Sequence, residues 1–74
     1  MPKLPDVSGK ELIRILEQKG FALKRQSGSH CLLEHSDGRI TTVPIHGGKS
    51  LPKGTLKGIL RDLEITNEQF QKMI

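Results

Sequence analysis

Tryptophan and tyrosine are absent from this sequence, and phenylalanine occurs only at Phe21 and Phe70. Both fall where the apolar pattern needs core residues. This argues against binding nucleic acid by stacking bases on exposed rings, and any such contact is expected to be mostly to phosphate and sugar. Cysteine occurs once, at Cys31, so no disulfide forms within the chain. A lone thiol in a small chain fits a reducing compartment. Its simplest role is that of a small buried hydrophobe, which argues against Cys–His nucleophilic catalysis. No apolar run approaches the roughly 18 residues that a membrane span requires, and no charged, apolar and small-residue succession marks a secretory signal. A cytoplasmic protein with no membrane association is the expectation. Repeats, low-complexity tracts and linkers are also missing.

The 74 residues fit one domain spanning 1–74. A chain this short buries only about 60% of the surface its unfolded form exposes, so the core is thin. The charge is unevenly placed. Between Lys19 and Arg61 there are eight basic and two acidic residues, whereas the two ends together hold four basic and six acidic ones. Positive charge gathered in the middle suits a polyanion or an acidic protein partner; an ordinary solvated surface gives the same count.

The order of elements reads helix, three strands, helix, short helix. Ser8 and Glu11 make an S-x-x-E capping box with Val7 and Leu12 at the staple positions. Leu12, Ile13, Ile15 and Leu16 then give an apolar face, and Gly20 is the left-handed stop. The first strand spans Phe21 to about Arg25, with Lys24 on the face opposite Phe21 and Leu23. Gln26–Ser29 is the first turn. The second strand runs from His30 to His35, the turn is Ser36-Asp37-Gly38, and the third strand runs from Arg39 to about Ile45. A second helix starts near Pro52 with Leu56, Ile59, Leu60 and Leu63 as its stripe. Gly54 and Gly58 weaken that helix and point to close backbone approach. Thr66 and Gln69 cap the last helix, with Ile65 and Phe70 as staple.

The second turn decides which face carries His30. A two-residue Asp37-Gly38 loop puts His30 among Leu32 and Val43. A three-residue loop with Gly38 as a left-handed bulge gathers Cys31, Leu33, Val43 and Ile45 on one face and His30, Glu34, Thr42 and His46 on the other. The second register separates apolar from polar better and is the one expected. It leaves Leu32 and Ile40 on the open face, which is either a cost or a docking patch for a partner. The fold class is α+β, with both main helices on one face of a three-stranded antiparallel sheet, as in double-stranded-RNA-binding domains.

Gly28-Ser29-His30 places a histidine at the start of a strand on that face. Histidine is the side chain whose ordinary titration lies nearest neutrality, so it can take or give a proton there; a plain surface histidine is the simpler reading of these three residues alone. His46, diagonal to His30, is a candidate acid or a loop residue. Gly47-Gly48-Lys49-Ser50, running into Pro52-Lys53-Gly54-Thr55, is a weak anion-site signal or a flexible connector, and it is not a P-loop. His30, His35, His46 and Glu34 lack a recognised ligand spacing, and no metal site is expected.

Taken in order, Gly28-Ser29-His30, His35-Ser36-Asp37-Gly38-Arg39, Val43-Pro44-x-His46 and Lys49-x-Leu51-x-x-Gly54-Thr55-Leu56-x-x-Ile59-Leu60 resemble HicA toxins. The capped helix before them and the Ile65-Thr66-x-x-x-Phe70 ending also fit. The resemblance implies an endoribonuclease acting on mRNA, a HicB-type antitoxin partner, and neither metal nor organic cofactor. It carries the catalytic role onto His30. Leu33 departs from relatives that often bear an aromatic residue in the second strand, a difference expected to touch core packing rather than activity. On this reading Gly28, Ser29, Lys24, Lys49 and Lys53 contact RNA, and Leu32 and Ile40 contact the antitoxin. The toxin alone is expected to be a monomer that enters a hetero-oligomer with its antitoxin. A non-catalytic RNA-binding module or a protein-interaction domain of the same fold is the alternative.

Overall fold

The structure is a computed structural model that describes residues 4–74. Residues 1–3, the start of the unit expected over 1–74, lie outside the described residues. The first helix, α1 (Gly9–Gln18), begins at the capping box. Ser8 Oγ accepts the Glu11 N–H at 3.2 Å, and Glu11 Oε1 accepts the Ser8 N–H at 3.1 Å. Two of the donors left open at a helix start are thereby satisfied. Val7 and Leu12, the staple pair, are both buried, as are Ile13 and Leu16, and Ile15 packs at the margin. Gly20 ends the helix region at φ +97°, a conformation glycine adopts without Cβ clash.

Three strands follow, β1 (Phe21–Ser27), β2 (His30–His35) and β3 (Ile40–Pro44), paired antiparallel in that order. In the β2–β3 turn, the Gly38 N–H donates to the His35 carbonyl at 2.9 Å and the His35 N–H to the Arg39 carbonyl at 2.8 Å. With Gly38 at φ +98°, this is the bulged three-residue loop that the hydrophobic pattern favours. The register pairs His30 with Pro44, Cys31 with Val43 and Leu33 with Thr41. Cys31, Leu33, Thr41 and Val43 are accordingly buried, while His30, Glu34, Ile40 and Thr42 are exposed.

The first hairpin differs from the expectation. β1 continues past Arg25 to Ser27, which pairs with His30, so the turn is only Gly28 and Ser29. Gly28, at φ +59°, supplies the positive φ that a two-residue hairpin loop needs at its first position. The ladder also skips a residue. Leu23 lies opposite Leu33 and Arg25 opposite Leu32, leaving Lys24 as a bulge. Leu23 shares the core side with Phe21 as expected, but on this edge strand it stays 42% exposed.

Pro52 is the N-cap of α2 (Lys53–Asp62) rather than its first residue. Leu56, Ile59, Leu60 and Leu63 are buried. Gly54 and Gly58 do not mark close approach, since among the described residues nothing lies within 4 Å of the place a Cβ would take. The close approach is at Gly9, whose absent Cβ leaves room for the Pro44 carbonyl. α2 ends without glycine: Glu64 takes φ +57°. The Ile65 N–H then reaches the Leu60 carbonyl at 2.9 Å and the Glu64 N–H the Arg61 carbonyl at 3.1 Å, a Schellman closure. The last helix, α3 (Asn67–Met73), starts at the Thr66–Gln69 capping box and inserts a fully buried Phe70. α1 packs on β1 and β3, and α2 on β3. The core therefore lies between helices and sheet, and the other sheet face is open.

Candidate functional site

The open face is defined by the strand register. Cross-strand partners share a face, so Ser27, His30 and Pro44 form one row and Arg25, Leu32 and Thr42 the next. Ala22, Glu34 and Ile40 form the third. His30 is exposed at the start of β2. The hairpin below it is held at both edges, by the Ser27 pairing and by the Ile45 N–H donating to the Ser29 carbonyl at 2.6 Å. Gly28 and Ser29 form the loop that leads into it. Leu32 is half-buried although no helix covers this side, and Ile40 is 49% exposed.

The bulge decides which cations reach this face. Lys24 lines a shallow cavity with Ala22 and Glu34 at the end of the sheet away from His30. Arg25 would have pointed into the helix side had the strand alternated without interruption. One extra residue puts it on the open face, in the row next to His30. Simple alternation misses Arg25, and nothing local in Lys24-Arg25-Gln26 announces a bulge.

β3 ends at Pro44, so His46 lies beyond the ladder rather than on it. Its carbonyl accepts the Lys49 N–H at 3.2 Å across Gly47 and Gly48, with Gly47 at φ +62°. This tight turn draws Lys49 back beside His46, both exposed. The chain then joins the N-terminal segment: Ser50 bridges to Ser8, and the Leu51 N–H donates to the Val7 carbonyl at 2.7 Å. Lys53 goes a different way from Lys49. Its Nζ lies 2.8 Å from Asp6 Oδ1 and donates to the Leu4 carbonyl at 2.5 Å. The hydrogen bond from Lys53, with its charge, holds the Asp6 carboxyl below its ordinary value. Lys53 thus ties α2 to the segment before α1.

A second polar group sits at the far end of the sheet. His35, on the core side, stacks edge-on to Phe21 with ring centroids 4.9 Å apart. Its Nδ1 accepts the Asp37 N–H at 3.1 Å. Arg39 binds Asp37 through Nε at 2.8 Å, donates from Nη1 to the Leu63 carbonyl at 2.8 Å, and lies 5.2 Å from the Phe21 ring centroid. The Asp37 carboxyl is held low, chiefly by the Arg39 backbone N–H at 3.0 Å and then by the Arg39 guanidinium. These contacts fasten the β2–β3 turn to the end of α2, so this group is structural. Cys31 is buried. Among the described residues, no group of three or more His, Cys, Asp and Glu side chains could share a metal ion, and no helix is long and apolar enough to cross a membrane.

No individual curated protein matches the chain. The family model described as "HicA toxin of bacterial toxin-antitoxin" matches residues 9–65. That span starts at the first residue of α1 and includes the sheet, the His46–Lys49 turn and α2. The chain therefore belongs to the HicA toxin family of bacterial toxin–antitoxin systems.

Proposed function

We propose that this chain is one toxin domain that cuts mRNA in the cytoplasm without a metal ion, and that a HicB-type antitoxin neutralises it. The observation that carries the reading is an exposed His30 on a helix-free sheet face, anchored by two strands, within the span matched to the family. His30 acts as general base on an RNA 2′-hydroxyl. The freed oxygen attacks the adjacent phosphorus, and the bond to the 5′-oxygen breaks. His46 supplies the proton to that leaving oxygen. The products are a 2′,3′-cyclic phosphate and a free 5′-hydroxyl, with the nucleophile drawn from the substrate itself. Lys49 opposes the charge that builds on the phosphate oxygens, and the Gly28-Ser29 loop lets the backbone come close to the strand being cut. Lys24 meets the RNA farther along the face, at the end of the sheet away from His30. Lys53 has a weaker claim to phosphate contact, because Asp6 and the Leu4 carbonyl already engage its ammonium. The antitoxin covers Leu32 and Ile40, and with them His30. Free toxin is a monomer, and the complex is a hetero-oligomer.

The test uses purified wild type and His30→Ala with an RNA containing one 2′-deoxy nucleotide at a mapped cut site. Wild type should cut the all-ribo RNA and spare the deoxy position, and His30→Ala should cut neither. Cleavage at the deoxy position would overturn the 2′-hydroxyl scheme, and undiminished cutting by His30→Ala would remove His30 from it. Salt-sensitive binding without cleavage would point to a passive RNA-binding module, and no effect on RNA to a protein-interaction domain.

A further inference from the structure

We propose that Arg25 is the principal phosphate-binding residue beside His30, delivered there by the β1 bulge. This inference rests on the reading of the open face as an RNA site and names the residue that grips the substrate. Arg25 is the cross-strand partner of Leu32, one row from His30. The diagonal from Arg25 to His30 is about 7–8 Å at the backbone, well within the reach of an arginine side chain. Among the described residues its side chain makes no hydrogen bond or ion pair with protein. The other candidate cations differ on this point or in place. Arg39 is held by Asp37 and Leu63, and Lys53 by Asp6 and Leu4. Lys24 shares its cavity with the Glu34 carboxylate, which offsets its field. Lys49 stands on the turn beyond β3.

The chemistry favours arginine in this place. A planar guanidinium donates two parallel hydrogen bonds to a phosphate, which fixes orientation as well as charge. Leu32 provides an apolar surface along which its stem can lie. A phosphate held by Arg25 places the neighbouring ribose over the His30 row, where the 2′-hydroxyl must lie to lose its proton. The bulge thus sets the spacing between the phosphate grip and the base.

Binding is measured by fluorescence anisotropy with a fluorescein-labelled 20-nucleotide single-stranded RNA of mixed sequence. The chains carry His30→Ala so that the probe survives, and binding is followed over a range of salt. Arg25→Ala should weaken binding about tenfold or more and lower the log–log salt slope by about 0.7, the value for one lost phosphate contact on a single strand. Arg25→Lys should recover part of the affinity. Lys10→Ala, which removes one positive charge from the exposed side of α1, should bind as the parent does. With His30 restored, Arg25→Ala should raise KM for cleavage of a bacterial mRNA more than it lowers kcat. Unchanged affinity and slope in Arg25→Ala, with wild type still cutting, would overturn the Arg25 assignment alone. Failure of wild type to bind or cut any RNA would overturn the function and this inference together.

Discussion

Substituting alanine for Gly9 and for Gly58 should change stability in opposite directions. By helix propensity alone, both changes should help, since alanine is favoured over glycine by about 1 kcal/mol inside a helix and by less in its first turn. At Gly58 no atom of the described residues lies within 4 Å of the new methyl group, so Gly58→Ala should gain about 0.5–1 kcal/mol. At Gly9 the methyl carbon would fall deep inside the Pro44 carbonyl oxygen and 3.3 Å from the Ile45 Cα. Both obstacles are backbone atoms, which cannot swing aside as a side chain can. Overpacking of that kind costs about 1–3 kcal/mol. After the propensity gain is subtracted, Gly9→Ala should lose about 1–2 kcal/mol, a fall in Tm of about 5–15 °C for a domain this small. Urea unfolding with an unchanged m-value checks that stability itself has moved. Pro44 is the strand partner of His30, so displacing its carbonyl should also slow RNA cleavage. A Gly9→Ala chain as stable as wild type would refute the packing argument, whatever Gly58→Ala does.

The remaining predictions are smaller. Thr41 is buried, and its hydroxyl has no hydrogen-bond partner among the described residues. Thr41→Val should therefore raise stability by about 1 kcal/mol in the same urea assay. Glu64 holds a left-handed conformation that costs a non-glycine residue about 1 kcal/mol or more, so Glu64→Gly should raise Tm by a few degrees despite the added chain entropy. Asp37 titrates below its ordinary value of 3.8 in the folded chain. A depressed carboxyl stabilises the fold above its unfolded value, and this contribution is lost as pH falls through the lower folded value. Stability should thus start to decline as pH falls below about 4, and Asp37→Asn should flatten the decline across that range. Asp6, held low by Lys53, should add to the same window, and Asp6→Asn tests its share.

Sequence signals worked best where one local interaction fixes the backbone. Ser8 with Glu11, Thr66 with Gln69, and the stop at Gly20 all appear where their side chains or φ requirements demand. They failed where two local readings were equally good. Nothing in Phe21-Ala22-Leu23-Lys24-Arg25 says that the alternation skips a residue, and the length of the Gly28 turn depends on that skip. Glycine in α2 is a misleading signal for a related reason. Its lack of a Cβ matters only if another backbone passes close, and that neighbour, Pro44, is distant in sequence and meets Gly9 instead. Glu64 shows the converse, a left-handed helix stop made without the residue that usually signals it.

By itself the sequence determined the order of elements, the β2–β3 register and the exposure of His30. Alternating apolar residues and a glycine-closed turn leave only one pairing that buries Cys31, Leu33 and Val43 together. Its order of motifs also determined the family. Tertiary structure decided which cations stand near His30. The β1 bulge turned Arg25 onto the open face, Asp6 engaged Lys53, and the Gly47-Gly48 turn carried His46 off the sheet beside Lys49. Each of these depends on where a distant segment lies or on how a strand pairs with its neighbour. Such contacts have no period in the sequence, and only the folded chain brings them together.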